Sequence, residues 1–270
     1  MSQSHGTLYI VATPIGNLAD ASARSIEVLR AVDLIACEDT RTSRTLLARH
    51  GIQARTTALH AHNERAAGEK LLAALREGRS VALISDAGTP GVSDPGALLV
   101  AAAHREGLRV VPVPGPNAAI AAWSAAGFGS ESFQYLGFAS TSAKDFLEQL
   151  DRPWPVILYE APHRVLGTVR ALLERCGPER ELVIARELTK KFEEIARLPL
   201  ARAPAWLEAG PHRQQGEFVL VLGPGPQRKA GAVEGERVRD ILAREMSASD
   251  AARLAAKITG LPRNSLYKPK

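Results

Sequence analysis

The sequence is poor in the residues that mark several protein classes. Its two cysteines, Cys37 and Cys176, stand far apart, which offers neither a disulfide framework nor a metal-ligand cluster. Its longest unbroken apolar run, residues 97–103, is far short of the roughly 20 residues that cross a bilayer. Residues 1–6 carry neither the basic start nor the apolar stretch of a secretory signal, so a cytoplasmic location is the expectation. No G-x-G-x-x-G, P-loop, H-E-x-x-H or C-x-x-C pattern occurs, and no Ser/His/Asp hydrolase signal. Those absences argue against a dinucleotide or nucleoside triphosphate site and against the common hydrolases and zinc enzymes.

What is present is the composition of a globular protein: 270 residues, 45% hydrophobic and 23% charged, enough for one large domain or two modest ones. The net charge is +5, and residues 236–270 hold eight basic against four acidic side chains. A basic terminal segment suits a polyanion partner and suits a solvated helical face equally well.

Short apolar runs alternate with helical patterns through the first half, the signature of a parallel sheet flanked by helices. Strands are expected at 7–12, 32–37, 81–85 and 109–113. Helices are expected at 21–31, with Ile26, Leu29 and Arg30 on its apolar stripe, and at 42–50, 63–77, 97–106 and 117–126. Gly127, Gly129 and Ser130 mark a domain boundary. Beyond it, strands at 133–138, 156–160, 182–187, 193–197 and 218–222, with helices at 144–150 and 163–176, indicate a mixed sheet. Residues 227–235 read as a linker. Two helices follow, the second capped by Ser249 and stopped by Gly260, with a third starting near Arg263. The division is therefore 1–128, 129–226 and a helical, helix-turn-helix-like tail at 236–270.

Ligands of parallel α/β sheets collect beyond the carboxyl ends of strands. Three loops qualify: ATPIGN at 12–17, SDAGTPGVSDPG at 85–96 and VPGPNAA at 113–119. In the second, Asp94 followed by Pro95 reads as a helix cap, whereas Asp86 at a strand tip reads as a ligand residue for ribose hydroxyls or a cationic group. In the second half, Glu160, Arg164, Arg186, Lys190 and Lys191 place charge at strand ends, and His163 reads as a helix-start residue.

Taken together, LYIVATPIGNL at 8–18, ACEDTR at 36–41, SDAGTPGVSDPG, VPVPGPNAAIAAWSAAG at 111–127, LYEAPHR at 158–164 and ARELTK at 185–190 resemble the tetrapyrrole methylase superfamily. Within it they resemble the branch that methylates a cytidine ribose 2'-hydroxyl in the decoding centre of 16S ribosomal RNA. The resemblance implies an α/β, two-domain tetrapyrrole-methylase-like (class III) methyltransferase with a small helical C-terminal segment. It implies a homodimer that binds S-adenosylmethionine in the interdomain cleft, needs no metal, and acts on 16S ribosomal RNA in the 30S subunit. Carried onto this sequence, the cofactor residues are Ile15, Asp86, Thr89, Asn117, Ala118, Tyr159, Ala185 and Arg186. A ribose hydroxyl needs its proton removed during attack; Glu160 and Glu187 are candidate bases and Lys190 a candidate oxyanion stabiliser. A carboxylate beside Arg164 or Arg186 also suits a loop-ordering ion pair, the plainer reading of either residue. Arg24, Arg41, Arg44, Arg164 and Lys191 are candidate RNA contacts. The competing expectations are a precorrin or porphyrin acceptor on the same fold, and a non-catalytic RNA-binding protein.

Overall fold

A computed structural model describes residues 5–129, 132–140, 144–225 and 230–267. The first lobe runs β1 (Thr7–Val11), α1 (Ala23–Ala31), β2 (Leu34–Cys37), α2 (Thr40–Arg49), β3 (Arg55–Ala58), α3 (Glu64–Arg76), β4 (Val81–Ile84), α4 (Ala97–Arg105), β5 (Arg109–Val113) and α5 (Ala118–Ala126). Its five strands are all parallel, in the order β3-β2-β4-β1-β5. Central strand β4 is apolar at every position because both of its faces are covered. On one face Leu71, Leu75 and Leu99 of α3 and α4 pack on Leu8 and Leu83. On the other, Ile26, Leu29 and Leu47 of α1 and α2 pack on Val11, Ile35 and Ile84. Arg30, expected on the inward stripe of α1, is instead exposed and donates to the His50 carbonyl, because the buried third position is Ser25. Edge strand β3 was not expected: RTTA is short and largely polar, and only pairing with β2 makes it a strand.

The second lobe runs β6 (Gln134–Phe138), α6 (Lys144–Gln149), β7 (Val156–Glu160), α7 (Val165–Cys176), β8 (Glu181–Arg186), β9 (Glu194–Pro199), α8 (Ala203–Glu208) and β10 (Phe218–Leu222). The sheet order is β6-β7-β10-β8-β9, with β6 and β7 parallel and every other pair antiparallel. Val169 and Leu172 of α7 and Leu207 of α8 cover one face of it. The other face is covered by α5, whose Ala119, Ala122 and Ala126 meet Ile157, Val183 and Val219. The last helix to leave the first sheet thus packs on the second, and small side chains let it approach closely. It ends at Gly127 in the left-handed region, φ 68°, where the sequence marks a boundary; Ser130 of that cluster lies outside the described residues.

The tail is a separate helical unit of α9 (Ala230–Leu242), α10 (Ala248–Thr259) and α11 (Arg263–Leu266), cored by Ala252, Ala255 and Leu266. Buried Arg239 donates to the Leu266 carbonyl and ties the first of these helices to the last. Two expectations are corrected. Residues 230–235 are helical rather than linker, Gly235 being the point where α9 meets Leu261 and Leu266; residues 226–229 lie outside the described residues. The cap of α10 is Ser247, whose Oγ accepts from the Asp250 N–H, and not Ser249.

Candidate functional site

A cavity of about 370 Å³ lies between the lobes, within the size range of small-ligand sites. The first lobe contributes the loops after β1, β4 and β5, and the second contributes the ends of β6, β7 and β10 and the loop after β8. The three first-lobe loops are tied to one another. Thr13 and Gly88 exchange backbone hydrogen bonds at 2.8 and 3.1 Å, and Thr89 Oγ1 donates to the Pro116 carbonyl at 3.0 Å. Gly88 has a φ of +84° and passes close to Ile15, a path only glycine takes without cost. Across the lobes, the Ala119 N–H donates to Tyr159 Oη at 3.2 Å, and Ser93 Oγ pairs with Tyr135 Oη at 2.7 Å. Burial pushes the ionisation of both tyrosines up, so both stay neutral hydroxyls. Ser93, Glu187 and Thr189 are the non-glycine residues with positive φ among the described residues; Ser93 lines the cavity, and Glu187 and Thr189 flank Leu188, which also does. Local backbone strain is therefore concentrated here.

Asp94 is a site residue that sequence reasoning assigned elsewhere. It does not cap α4. Gly96 holds that position at φ 124°, and the helix start is satisfied from a distance by Glu64, whose Oε1 accepts from the Gly96 and Leu98 N–H groups at 2.9 Å. Asp94 instead lines the cavity. Burial raises its ionisation to about 6; a hydrogen bond from Ser85 opposes the rise, and the nearby carboxylates Glu38 and Asp86 add to it. Phe138, Glu217, Phe218 and Val219 also line the cavity without a motif to mark them, and so does Leu188, which lies inside ARELTK but is not a candidate from sequence. The D-P pair was the signal for Asp94, but a cap explains it equally well from sequence alone.

Of the expected cofactor residues, the structure brings Ile15, Thr89, Asn117, Ala118 and Tyr159 together around this cavity. Ala185 is instead fully buried against α5. Arg186 is buried as well, donating to the Gln215 and Phe192 carbonyls and facing Glu194 at 3.8 Å. Asp86 is exposed at a neighbouring cavity, where its Oδ1 accepts from the Asp39 N–H at 3.0 Å. Asn117 also caps α5 through its Oδ1.

The candidate acid–base residues separate clearly. Glu160 borders the cavity, but its carboxylate is 1% exposed and engaged on both oxygens by the Ala161 N–H, Arg164 and Thr168. Burial works to raise the Glu187 carboxyl, and hydrogen bonds from Lys190 and the Glu217 N–H outweigh it and hold it below the ordinary value. Burial likewise opposes the Lys190 charge, and bonds to Glu217 and Glu187, at 2.8 and 2.9 Å, outweigh it, so the ammonium persists. Lys190 lines a second cavity, also of about 370 Å³, which shares Ile15, Ala87 and Glu217 with the first. Gly16 permits this closure, since a Cβ there would meet Lys190 Cγ at 2.5 Å.

The candidate RNA contacts are dispersed. Arg24, Arg41 and Arg44 are exposed on α1 and α2, Arg41 pairing with Asp39 at 2.7 Å. That pairing pulls the Asp39 carboxyl down to about 2. Exposed Lys191 stands 5.4 Å from the Phe192 ring. Arg164 pairs with Glu160 and borders a third cavity with His163 and Ser140.

A parallel-sheet lobe and a mixed-sheet lobe closing on a carboxylate-bearing cavity, without a glycine-rich dinucleotide loop, define a two-lobed α/β ligand-binding enzyme. The chain belongs to the family described as Tetrapyrrole (Corrin/Porphyrin) Methylases, whose sequence model matches residues 7–204, and it is a methyltransferase. A second model, described as RsmI C-terminal HTH domain, matches residues 229–268. The chain is 48% identical to ribosomal RNA small subunit methyltransferase I of Mesorhizobium japonicum, covering 97% of this chain and 90% of that one. It is 47% identical to the protein of that name from Escherichia coli O157:H7, covering 98% and 94%. The fold is shared with uroporphyrin-III C-methyltransferase of Thermus thermophilus, TM-score 0.60 at 23% identity over 81% of this chain and 94% of that one. It is shared too with a structure of that enzyme complexed with S-adenosylhomocysteine, TM-score 0.58 at 17% identity over 81% and 97%.

Proposed function

We propose that the protein transfers a methyl group from S-adenosylmethionine to the 2'-hydroxyl of a cytidine in 16S ribosomal RNA. The observation that carries the reading is the inter-lobe cavity, with largely apolar walls and, among its lining acids Asp94, Glu160 and Glu217, the partly buried carboxylate of Asp94. This donor set fits the cofactor, a flat nucleoside bearing positive charge: Ile15, Ala118, Leu188 and Val219 offer apolar surface, Thr89 and Asn117 polar edges, and Asp94 the counter-charge. When bound, the cofactor supplies an electrophilic methyl group on a sulfonium. The chain itself contributes alignment, which strand-end loops cross-braced between lobes provide. Of the acid–base candidates, Lys190 is the best placed for an acceptor. It lines the second cavity, keeps its charge, and holds Glu217 at the boundary with the first. We assign it the role of stabilising the hydroxyl oxygen as negative charge develops.

The relatives' names and the basic tail support ribosomal RNA over a tetrapyrrole as acceptor. The same reading includes a homodimer acting on the 30S subunit in the cytoplasm. Calorimetry with S-adenosylmethionine, followed by incubation with 30S subunits lacking the modification and mapping of the product, tests it. Binding in the micromolar range and one new 2'-O-methylated cytidine are expected. Methylation of a precorrin instead of RNA would establish the alternative acceptor.

A further inference from the structure

We infer that the second inter-lobe cavity is the pocket for the acceptor nucleotide, extruded from its RNA strand so that the base enters between α2 and the loop after β8. The inference rests on the ribosomal RNA reading above and specifies where the substrate lies. Three observations carry it. First, the two cavities have nearly equal volumes, about 370 Å³ each, and share the boundary residues Ile15, Ala87 and Glu217. A ligand in one therefore abuts a ligand in the other, as a transfer between two bound nucleosides requires. Second, the walls differ in chemistry. Where the first cavity sets Asp94, Glu160 and Glu217 among largely apolar groups and has no lining cation among the described residues, the second offers the hydroxyls of Thr42 and Thr45, the Asp86 carboxylate and the Lys190 ammonium over a floor of Leu46 and Ile84. Asp86 has one oxygen occupied by the Asp39 N–H, and its other oxygen is available to an exocyclic amine, the group by which a carboxylate reads cytosine. Third, α2, which supplies Thr42 and Thr45, also carries exposed Arg41 and Arg44, placed for the phosphates on either side of an extruded nucleotide. A duplex or stacked strand cannot present a ribose and base in a walled cavity, so extrusion is the physical requirement of this geometry.

The test fills the cavity from the helix face. Thr45 is an exposed position of α2, so Thr45→Phe adds bulk to the pocket without entering the protein core. Thr42→Tyr does the same from the neighbouring position, and Thr45→Ser keeps the hydroxyl. Cofactor affinity is measured by calorimetry, and methyl transfer to unmodified 30S subunits by steady-state kinetics. The expected result is an S-adenosylmethionine Kd within twofold of wild type for all three, a loss of at least tenfold in kcat/KM for Thr45→Phe and Thr42→Tyr, and recovery in Thr45→Ser. Transfer at the wild-type rate by both bulky variants overturns the inference, as does parallel loss of cofactor binding and transfer, which is the signature of a structural defect. Failure of the wild type to bind S-adenosylmethionine or to methylate 30S subunits is a separate outcome that overturns the functional reading itself.

Discussion

A carboxylate half-withdrawn from water is costly to ionise unless a cation stands beside it, and Asp94 is in that position. Its folded value of about 6 lies above the ordinary 3.8, so the folded protein holds this proton more tightly than the unfolded chain. Asp94 therefore makes stability fall as pH rises from about 4 to about 6. Asp94→Asn is expected to melt higher than wild type at pH 7.5 and to converge with it below pH 4, as differential scanning calorimetry would show. Binding of a cationic cofactor reverses the preference. Wild-type affinity should weaken as pH drops through 6, whereas the asparagine variant should bind about tenfold more weakly at pH 7.5, about 1.4 kcal/mol, with no such pH dependence. Lys190 gives the complementary case. Lys190→Met should lower kcat by roughly a hundredfold, the scale of losing one oxyanion donor, and leave the cofactor Kd unchanged; Lys190→Arg should recover part of the rate. Lys190 is a candidate from sequence and Asp94 is not, yet neither neighbourhood shows the role unambiguously. Asp94 precedes a proline and so resembles a cap, and Lys190 sits in a run of charge.

The secondary-structure elements record how local signals and distant contacts divide the work. The start of α4 follows Pro95-Gly96, and its backbone donors are met by Glu64, the first residue of α3, more than thirty positions away in the chain. Glu64→Ala should cost about 1 kcal/mol, the range of a lost helix cap, read as a shift in urea midpoint at constant slope. Helices with a clear apolar stripe, such as α3 and α7, and strands that are apolar throughout, such as β4 and β10, can be read from sequence to within a residue or two. Short elements without an apolar signature cannot. β3 is the largely polar RTTA and α8 the proline-containing APAWLE, neither with a pattern to mark it, and each exists because a neighbour pairs with it or covers it.

Across the whole molecule, α5 joins the lobes by leaving one sheet and packing on the other, which is why the cleft has fixed walls. The tail stands apart with a small core of its own, and its Arg244 and Lys257 are exposed. Replacing both with glutamine should leave cofactor binding unchanged and weaken RNA binding. The log–log salt slope should fall by roughly 0.7 to 0.9 for each phosphate contact removed, measured by filter binding over a salt series. The amino-acid sequence by itself determined the parallel first lobe, the mixed second lobe, the helical tail and the strand-end loops that line the cavities, because hydrophobic period and turn residues are local properties. Only the tertiary structure decided that Ala185 and Arg186 are buried, that Glu160 is bound on both oxygens, and that Asp94, Glu217 and Lys190 border two adjoining cavities. Burial and charge pairing depend on which distant segments are brought together, and no stretch of sequence contains that information.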